Sequence, residues 1–171
     1  VITPSGAWSY GVNKSLAQVQ GLKAGEHLTE TAVITSKDGT QHTLTIEITG
    51  TNDVPTVSGS VSLAQGTEDT PITLTTAQLL AHVTDVDGDS LSVDNLHADH
   101  GTISKNSDGT FTFTPDANYK GVVNFTYNVT DGHGGSAAQT ASMNLKSVTD
   151  AASVKIHMTA DDVIETGQGH A

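Results

Sequence analysis

Several residue types are missing or scarce in this chain, and each absence excludes a class of chemistry. The 171 residues include no cysteine, which excludes disulfides, thiolate zinc sites and cysteine nucleophiles. Lysine supplies all 7 basic residues against 19 acidic ones, so the net charge is -12. Such a surface repels nucleic acids and anionic membranes. We therefore expect no nucleic-acid partner.

Long apolar runs and aromatic side chains are scarce as well. No run approaches the roughly 18 apolar residues that a membrane-spanning helix needs, so we expect no membrane insertion. Hydrophobic residues make up 35% of the chain and aromatic residues 4%, while threonine, valine, serine and glycine are abundant. This composition is typical of threonine-rich β domains with small cores.

Alternation of apolar and polar residues recurs along the chain and predicts antiparallel strands, each with one buried face. The candidate strands are 7–10, 31–36, 42–48, 110–115 and 123–130. Asp-Gly and related turn signals separate them at 37–40, 87–90, 106–110 and 131–135, a spacing typical of an all-β sandwich. The one helical candidate is 13–26, where Leu16, Val19 and Leu22 predict one or two helical turns.

The stretch "HVTDVDGDSLSV" (82–93) concentrates negative charge in a short loop, at Asp85, Asp87 and Asp89. A solvated acidic turn is one interpretation, because Asp-Gly pairs favour turns without any metal. Calcium is the other, because a hard divalent cation relieves the repulsion between carboxylates at two-residue spacing. An EF-hand is excluded, since Gly88 is the fourth residue of the loop rather than the sixth.

The chain also repeats itself loosely. "SGAWSY" (5–10) is similar to "DGTFTF" (108–113), and 28–53 is similar to 122–150 in its order of strand, Asp-Gly loop, strand and acidic end. The spacing matches an immunoglobulin-like domain of about 100 residues. We therefore divide the chain into 1–54, the second half of one module; 55–148, a complete module; and 149–171, a linker and the start of another.

Long motif strings resemble two bacterial repeat families. "GAWSYGVNKSLAQVQGLKAGEHLTETAVITSKDGTQHTLTIEITGTNDVP" resembles the C-terminal half of a VCBS repeat. "TEDTPITL", "HVTDVDGDSLSV" and "GTFTFTPDANYKGVVNFTYNVTDGHGG" resemble the bacterial cadherin-like repeat of giant adhesins. The resemblance implies an all-β chain of tandem immunoglobulin- or cadherin-like antiparallel β-sandwiches with Greek-key connections. It also implies a surface-held biofilm adhesin of the RTX type, exported to the cell surface by type I secretion, with calcium at the joints between modules.

Aligning the cadherin-like pattern with the strands gives candidate calcium ligands at both ends of the complete module. The linker, the acidic loop and the turn after 123–130 should meet at one end, facing the preceding module. The ligands expected at this junction are Glu26, Asn52, Asp53, Asp85, Asp87, Asp89 and Asp131, with Glu26 and Asp89 ranked below the others. The second candidate site, at the opposite end, comprises Glu68, Asp69, Asp116 and Asp150.

Three functions compete for this sequence. An extender would carry a distal adhesive domain and contact neighbouring modules of its own chain, leaving the adhesive target to another domain. A ligand-binding module would itself contact glycan or peptide, and would need an exposed aromatic platform. A hydrolase would need a concave catalytic site, yet the sequence contains no GxSxG, HExxH or phosphate-binding glycine loop. We expect an extender and no enzyme.

Overall fold

Residues 9–149 are described by this computed structural model, and β-strands dominate them. The all-β prediction is therefore confirmed. Two single-turn helices are present, α1 (Ala17–Gln20) and α2 (Thr76–Leu79). The strands are β1 (His27–Thr35), β2 (Gln41–Thr49), β3 (Thr56–Val57), β4 (Val61–Ser62), β5 (Gly66–Thr67), β6 (Ile72–Leu74), β7 (Val83–Thr84), β8 (Ser92–Ala98), β9 (Gly101–Lys105), β10 (Phe111–Pro115), β11 (Gly121–Thr130) and β12 (Ser136–Lys146). Within residues 9–149, neither helix has the length and apolar character needed to cross a bilayer.

The first part of the chain is an antiparallel hairpin of β1 and β2, paired from His27↔Thr49 to Thr35↔Gln41. Its turn is closed by a hydrogen bond from the backbone N–H of Ser36 to the carbonyl of Thr40 (2.8 Å). Candidate strands 31–36 and 42–48 correspond to this hairpin. The structure shows no strand at Ser9 and Tyr10, the described part of candidate strand 7–10. Residues 7 and 8 lie outside the described residues.

The second part of the chain is a β-sandwich. One sheet has the order β6-β10-β9, and the other has the order β4-β12-β11-β8, with β5 also paired to β12. A short pair of β3 and β7 adjoins them. The chain passes between the two sheets from β8 to β9 and again from β10 to β11, as expected for crossed connections of the Greek-key type. Candidate strands 110–115 and 123–130 correspond to β10 and β11.

The core lies between these two sheets because alternate residues of each strand face inward. In β11 the buried positions are Val123, Phe125, Tyr127 and Val129, whereas Val122 is 53% exposed. The ring of Phe125 meets the edge of Phe113 from β10, with 5.0 Å between centroids and an interplanar angle of 80°. This edge-to-face pair joins the two sheets at the centre of the core.

Two local features differ from the expected all-antiparallel sandwich. The first is pairing at one edge, where β4 and β5 run parallel to β12. The second is α2, a helical turn between β6 and β7, where the sequence analysis placed no helix. Thr75 caps α2 in a capping box with Gln78, each side chain bonding the backbone N–H of the other residue. Thr75 followed by Gln78 and two leucines was the available sequence signal for this turn.

Candidate metal centre at the junction

The acidic loop directly follows β7 at the end of the sandwich nearest the hairpin. Gly88 adopts a positive φ of 69°, and its N–H donates to the carbonyl of Asp85 (3.3 Å), so the loop folds into a tight turn. This turn gathers the three aspartates that the sequence singled out. One carboxylate oxygen each of Asp85, Asp87 and Asp89 lies within 4.8 Å of the others. Among residues 9–149, this is the one such group of metal-ligating side chains.

Two oxygens of this cluster are buried without a hydrogen-bond partner, Oδ2 of Asp85 and Oδ1 of Asp87. Asp87 as a whole is 5% exposed. A buried carboxylate oxygen that lacks both water and a donor loses its solvation without compensation. Two such oxygens in one loop also repel each other, and a cation between them removes both costs. Hard carboxylate oxygens are the ligands that calcium prefers, so these residues fit calcium chemically.

The linker between hairpin and sandwich is hydrogen-bonded to the same end of the sandwich. The backbone N–H of Asp53 donates to Oδ2 of Asp87 (2.7 Å). The side-chain amide of Asn52 donates to Oδ2 of Asp131 (2.8 Å) and to the carbonyl of Asp53 (3.2 Å). Asn52, Asp53, Asp87 and Asp131 therefore meet as the sequence predicted, although Asp53 contacts the cluster through its backbone.

Asp131 is 2% exposed and organises the turn after β11. Its Oδ1 accepts hydrogen bonds from the backbone N–H groups of His133 (2.7 Å) and Gly135 (2.9 Å). The amide of Asn52, followed by these two N–H groups, holds the pKa of the Asp131 carboxyl below its ordinary value. Gly135 is required here because a Cβ at this position would overlap the Asp131 carboxylate. Asp131 is thus a carboxylate already satisfied by the protein.

Asp89 is also satisfied, by cationic or potentially cationic side chains. Lys23 Nζ lies 2.6 Å from its Oδ1, and His133 Nδ1 lies 3.0 Å from its Oδ2. The lysine contact is the main cause that lowers the pKa of Asp89, and the same contact raises the pKa of Lys23. The sequence analysis missed both Lys23 and His133. Both lie within the motif strings that resemble the repeat families, but neither carries an oxygen ligand for calcium, so the search for ligands did not select them.

Glu26 lies beside the cluster without joining it. Its Oε2 accepts a hydrogen bond from the backbone N–H of Lys23 (3.1 Å). It lines a cavity of about 200 Å³ together with Lys23, Ala24, Asn52, Asp89 and His133. Glu26 therefore faces the junction from the hairpin side, and its role as a ligand stays a prediction.

The second candidate site is spread over the opposite end of the sandwich. Glu68 is 4% exposed, and its Oε1 accepts the backbone N–H of Val148 (2.8 Å). Asp69, at a φ of 56°, accepts the N–H of Asn118 (2.8 Å). Asp116 lies 3.8 Å from His100 Nδ1. These three carboxylates do not form a ligand group among the described residues, and Asp150 lies outside those residues.

Comparison with solved structures finds partial likenesses. The endo-fucoidan hydrolase MfFcnA4 from glycoside hydrolase family 107 is 22% identical with a TM-score of 0.42, over 75% of this chain and 20% of that one. A nucleoside hydrolase-related hypothetical protein from Saccharophagus degradans, associated with carbohydrate metabolism, is 17% identical with a TM-score of 0.38, over 56% of this chain and 26% of that one. The chain thus spans about a quarter or less of either protein, and likenesses at this level carry no functional argument.

Sequence comparison identifies the family. No curated protein sequence matches the chain. The family model described as a cadherin-like domain matches residues 51–146, the part that contains the linker, the acidic loop and the sandwich. That match spans more than half of the 171 residues, and the chain therefore belongs to the cadherin-like domain family.

Proposed function

We propose that this chain is a calcium-stiffened extender segment of a bacterial surface adhesin. In this proposal the sandwich and the preceding hairpin module are links in a longer tandem array, exported to the cell surface by type I secretion. The array carries an adhesive domain that binds its target elsewhere in the protein. Membership of the cadherin-like family supports an adhesion-type module. The resemblance of residues 6–55 to a VCBS repeat supports the biofilm context.

The observation that carries the calcium proposal is the pair of buried, unpartnered oxygens on Asp85 and Asp87. A merely solvated turn would expose these oxygens to water. Here the linker closes over them, with the Asp53 N–H on the remaining oxygen of Asp87. Asp85 and Asp87 would therefore hold the ion, and further oxygens from the junction and from water would complete the about six to eight that calcium accepts.

Stiffening follows from the position of the cluster between two parts of the chain. Without metal, the clustered carboxylates repel one another, and the linker that covers them is loosened. With metal, the repulsion becomes attraction, and the closed arrangement of loop and linker is stabilised by the free energy of binding. Because these acidic groups serve ion binding in this proposal, we assign the chain no catalytic role.

Isothermal titration with calcium tests the proposal on the whole chain. Wild type should release or absorb heat on binding, whereas Asp85→Asn and Asp87→Asn should bind at least tenfold more weakly. Asp94→Asn is the matched control, since Asp94 is an exposed aspartate on β8. X-ray scattering of the wild type should report a narrower, more extended particle in calcium than in chelator.

An absence of heat in wild type, together with identical scattering profiles in calcium and chelator, would show that the acidic loop is a solvated turn. Equal weakening by Asp94→Asn would mean that only net charge matters. Magnesium in the same titration distinguishes a calcium site from a general divalent site, because magnesium requires a tighter octahedral arrangement and gives up its water reluctantly.

A further inference from the structure

We propose that Lys23 is a tethered counter-ion that competes with calcium for Asp89 and holds the junction together when calcium is absent. This inference rests on the proposed calcium function of the junction and concerns its regulation. Lys23 is a positioning residue that acts through Asp89. The three clustered aspartates therefore have two roles: Asp89 pairs with cations of the protein itself, and Asp85 and Asp87 bind the external ion.

The separation is visible in the contacts of the cluster. Both oxygens of Asp89 are engaged, Oδ1 by Lys23 Nζ at 2.6 Å and Oδ2 by His133 Nδ1 at 3.0 Å. Asp85 and Asp87, by contrast, each retain one buried oxygen with no partner. The protein thus supplies its own cation to one member of the cluster and leaves the other two for an external ion.

Lys23 reaches Asp89 from the hairpin part of the chain, 66 residues away. Its loop is fixed against the end of β2, where the Gly50 N–H donates to the carbonyl of Glu26 (2.8 Å). A side chain at position 50 would overlap the carbonyl oxygens of Leu22 and Lys23, so only glycine permits this close approach. Among the described residues, Lys23–Asp89 is the ion pair that joins the hairpin part to the sandwich.

Competition follows from the distances. One oxygen of Asp89 lies within 4.8 Å of oxygens of Asp85 and Asp87, so an ion held by all three would lie close to the ammonium group. The ion and the Lys23 ammonium group would repel each other, and this repulsion is stronger beside a partly buried cluster than in water. Lys23 can leave, because its side chain is 42% exposed and its four-carbon stem is flexible. Asp89 would therefore exchange the ammonium group of Lys23 for a cation held by the cluster.

The test compares Lys23→Met with wild type in calcium titration. Methionine retains an unbranched apolar stem without the charge, so the loop remains packed. We expect Lys23→Met to bind calcium about 1.4-fold to fivefold more tightly, as the loss of a competing pair worth roughly 0.2–1 kcal/mol implies. Lys120→Met is the matched control, because Lys120 is an exposed lysine before β11 at the opposite end of the sandwich. It should leave the affinity unchanged.

A second measurement follows the joint without relying on affinity. The chain has no cysteine, so spin labels can be placed at Thr43→Cys on β2 and Thr140→Cys on β12, both exposed positions. In chelator, Lys23→Met should broaden the distance distribution between the labels relative to wild type. In calcium the two proteins should give the same narrow distribution.

The outcomes separate this inference from the proposed function. If wild type binds calcium but Lys23→Met binds equally or more weakly, competition is wrong while the calcium junction stands. If no variant binds calcium, both are overturned. An unchanged distance distribution for Lys23→Met in chelator would overturn the claim that the ion pair holds the metal-free joint.

Discussion

The side-chain amide of Asn52 donates a hydrogen bond to Oδ2 of Asp131 across 2.8 Å, joining residues 79 positions apart in sequence. This contact ties the linker to the turn after β11. We expect Asn52→Ala to loosen the linker, because no alanine atom can replace the amide donor. Amide hydrogen exchange in metal-free protein should become faster at Asp53, whose N–H bonds the adjacent Asp87. Asn13→Ala is the control. Equal protection of the Asp53 amide from exchange in wild type, Asn52→Ala and Asn13→Ala would contradict the prediction.

The turn that holds Asp131 should be sensitive to a single added methyl group. A Cβ at Gly135 would overlap the Asp131 carboxylate and lie 3.1 Å from Cα of Val54 in the linker. We expect Gly135→Ala to lower the free energy of unfolding by about 1–3 kcal/mol, the usual cost of overpacking. Gly59→Ala is the control, since no atom lies within 4 Å of its added Cβ. Denaturant unfolding of both variants measures the difference, and equal stabilities would show that the turn can relax.

Much of this junction was readable from sequence because its signals are local. Period-two alternation identified β1, β2, β10 and β11, and Asp-Gly pairs identified the turns between them. Asp85, Asp87 and Asp89 were visible as a charge cluster in one loop. Predicting that this loop lies at the same end of the sandwich as the linker and the Asp131 turn required only a strand order, which the resemblance to cadherin-like repeats supplied.

The parts that could not be predicted depend on tertiary contacts. In sequence, Lys23 lies in the helical candidate 13–26 with nothing to single it out. In the structure its loop packs closely against Gly50, and its ammonium group contacts Asp89. The satisfied state of Asp131 likewise depends on an amide from the linker. The pairing with β12 involves β4 and β5, strands of two residues each, which carry too little alternation to be recognised.

The alternation of β11 predicts a large effect on stability for one of two adjacent valines and a small effect for the other. Val123 is fully buried between the sheets, whereas Val122 is 53% exposed on the same strand. We expect Val123→Ala to lower the free energy of unfolding by about 2 kcal/mol, from lost burial and a residual cavity. Val122→Ala should change it by less than about 0.5 kcal/mol. Chemical denaturation measures both, and similar losses would mean that the outer face of β11 is covered in solution.

Tyr127 contributes stability to the sandwich that is lost at high pH. Its hydroxyl donates to the carbonyl of Leu79 at the end of α2 (2.7 Å), and burial raises the pKa of the phenol to about 12. The folded-state pKa exceeds the unfolded value of about 10. The stabilisation is therefore complete below about pH 10 and is lost as the pH rises through about 12.

Tyr127→Phe isolates this contribution. We expect the variant to be less stable at neutral pH by about 1–2 kcal/mol, because the Leu79 carbonyl loses a buried donor. Its stability should also fall less steeply than that of wild type between about pH 10 and 12. Tyr119→Phe is the control, since its hydroxyl bonds the Val122 carbonyl at an exposed position. Parallel pH dependences for wild type and Tyr127→Phe would contradict the assignment.

The buried oxygens of the acidic cluster predict that one substitution has opposite effects with and without calcium. In metal-free protein, Asp85→Asn removes a charge whose Oδ2 is buried without a partner near Asp87. The asparagine retains Oδ1, which accepts the N–H of Asp89 (3.3 Å), so the loop keeps its backbone contact. We therefore expect the melting temperature in chelator to rise above that of wild type, because a repulsive charge has been removed.

In millimolar calcium the order should reverse. Wild type gains stability by binding the ion, whereas Asp85→Asn has lost a charged ligand and gains little. Scanning calorimetry of both proteins in chelator and in calcium gives four melting temperatures. We expect Asp85→Asn to melt above wild type in chelator and below wild type in calcium. Asp94→Asn should shift slightly in the same direction under both conditions. If Asp85→Asn instead melts below wild type in chelator as well, the Asp85 carboxylate stabilises the metal-free loop. The two buried oxygens of Asp85 and Asp87 would then not form a cation-binding site.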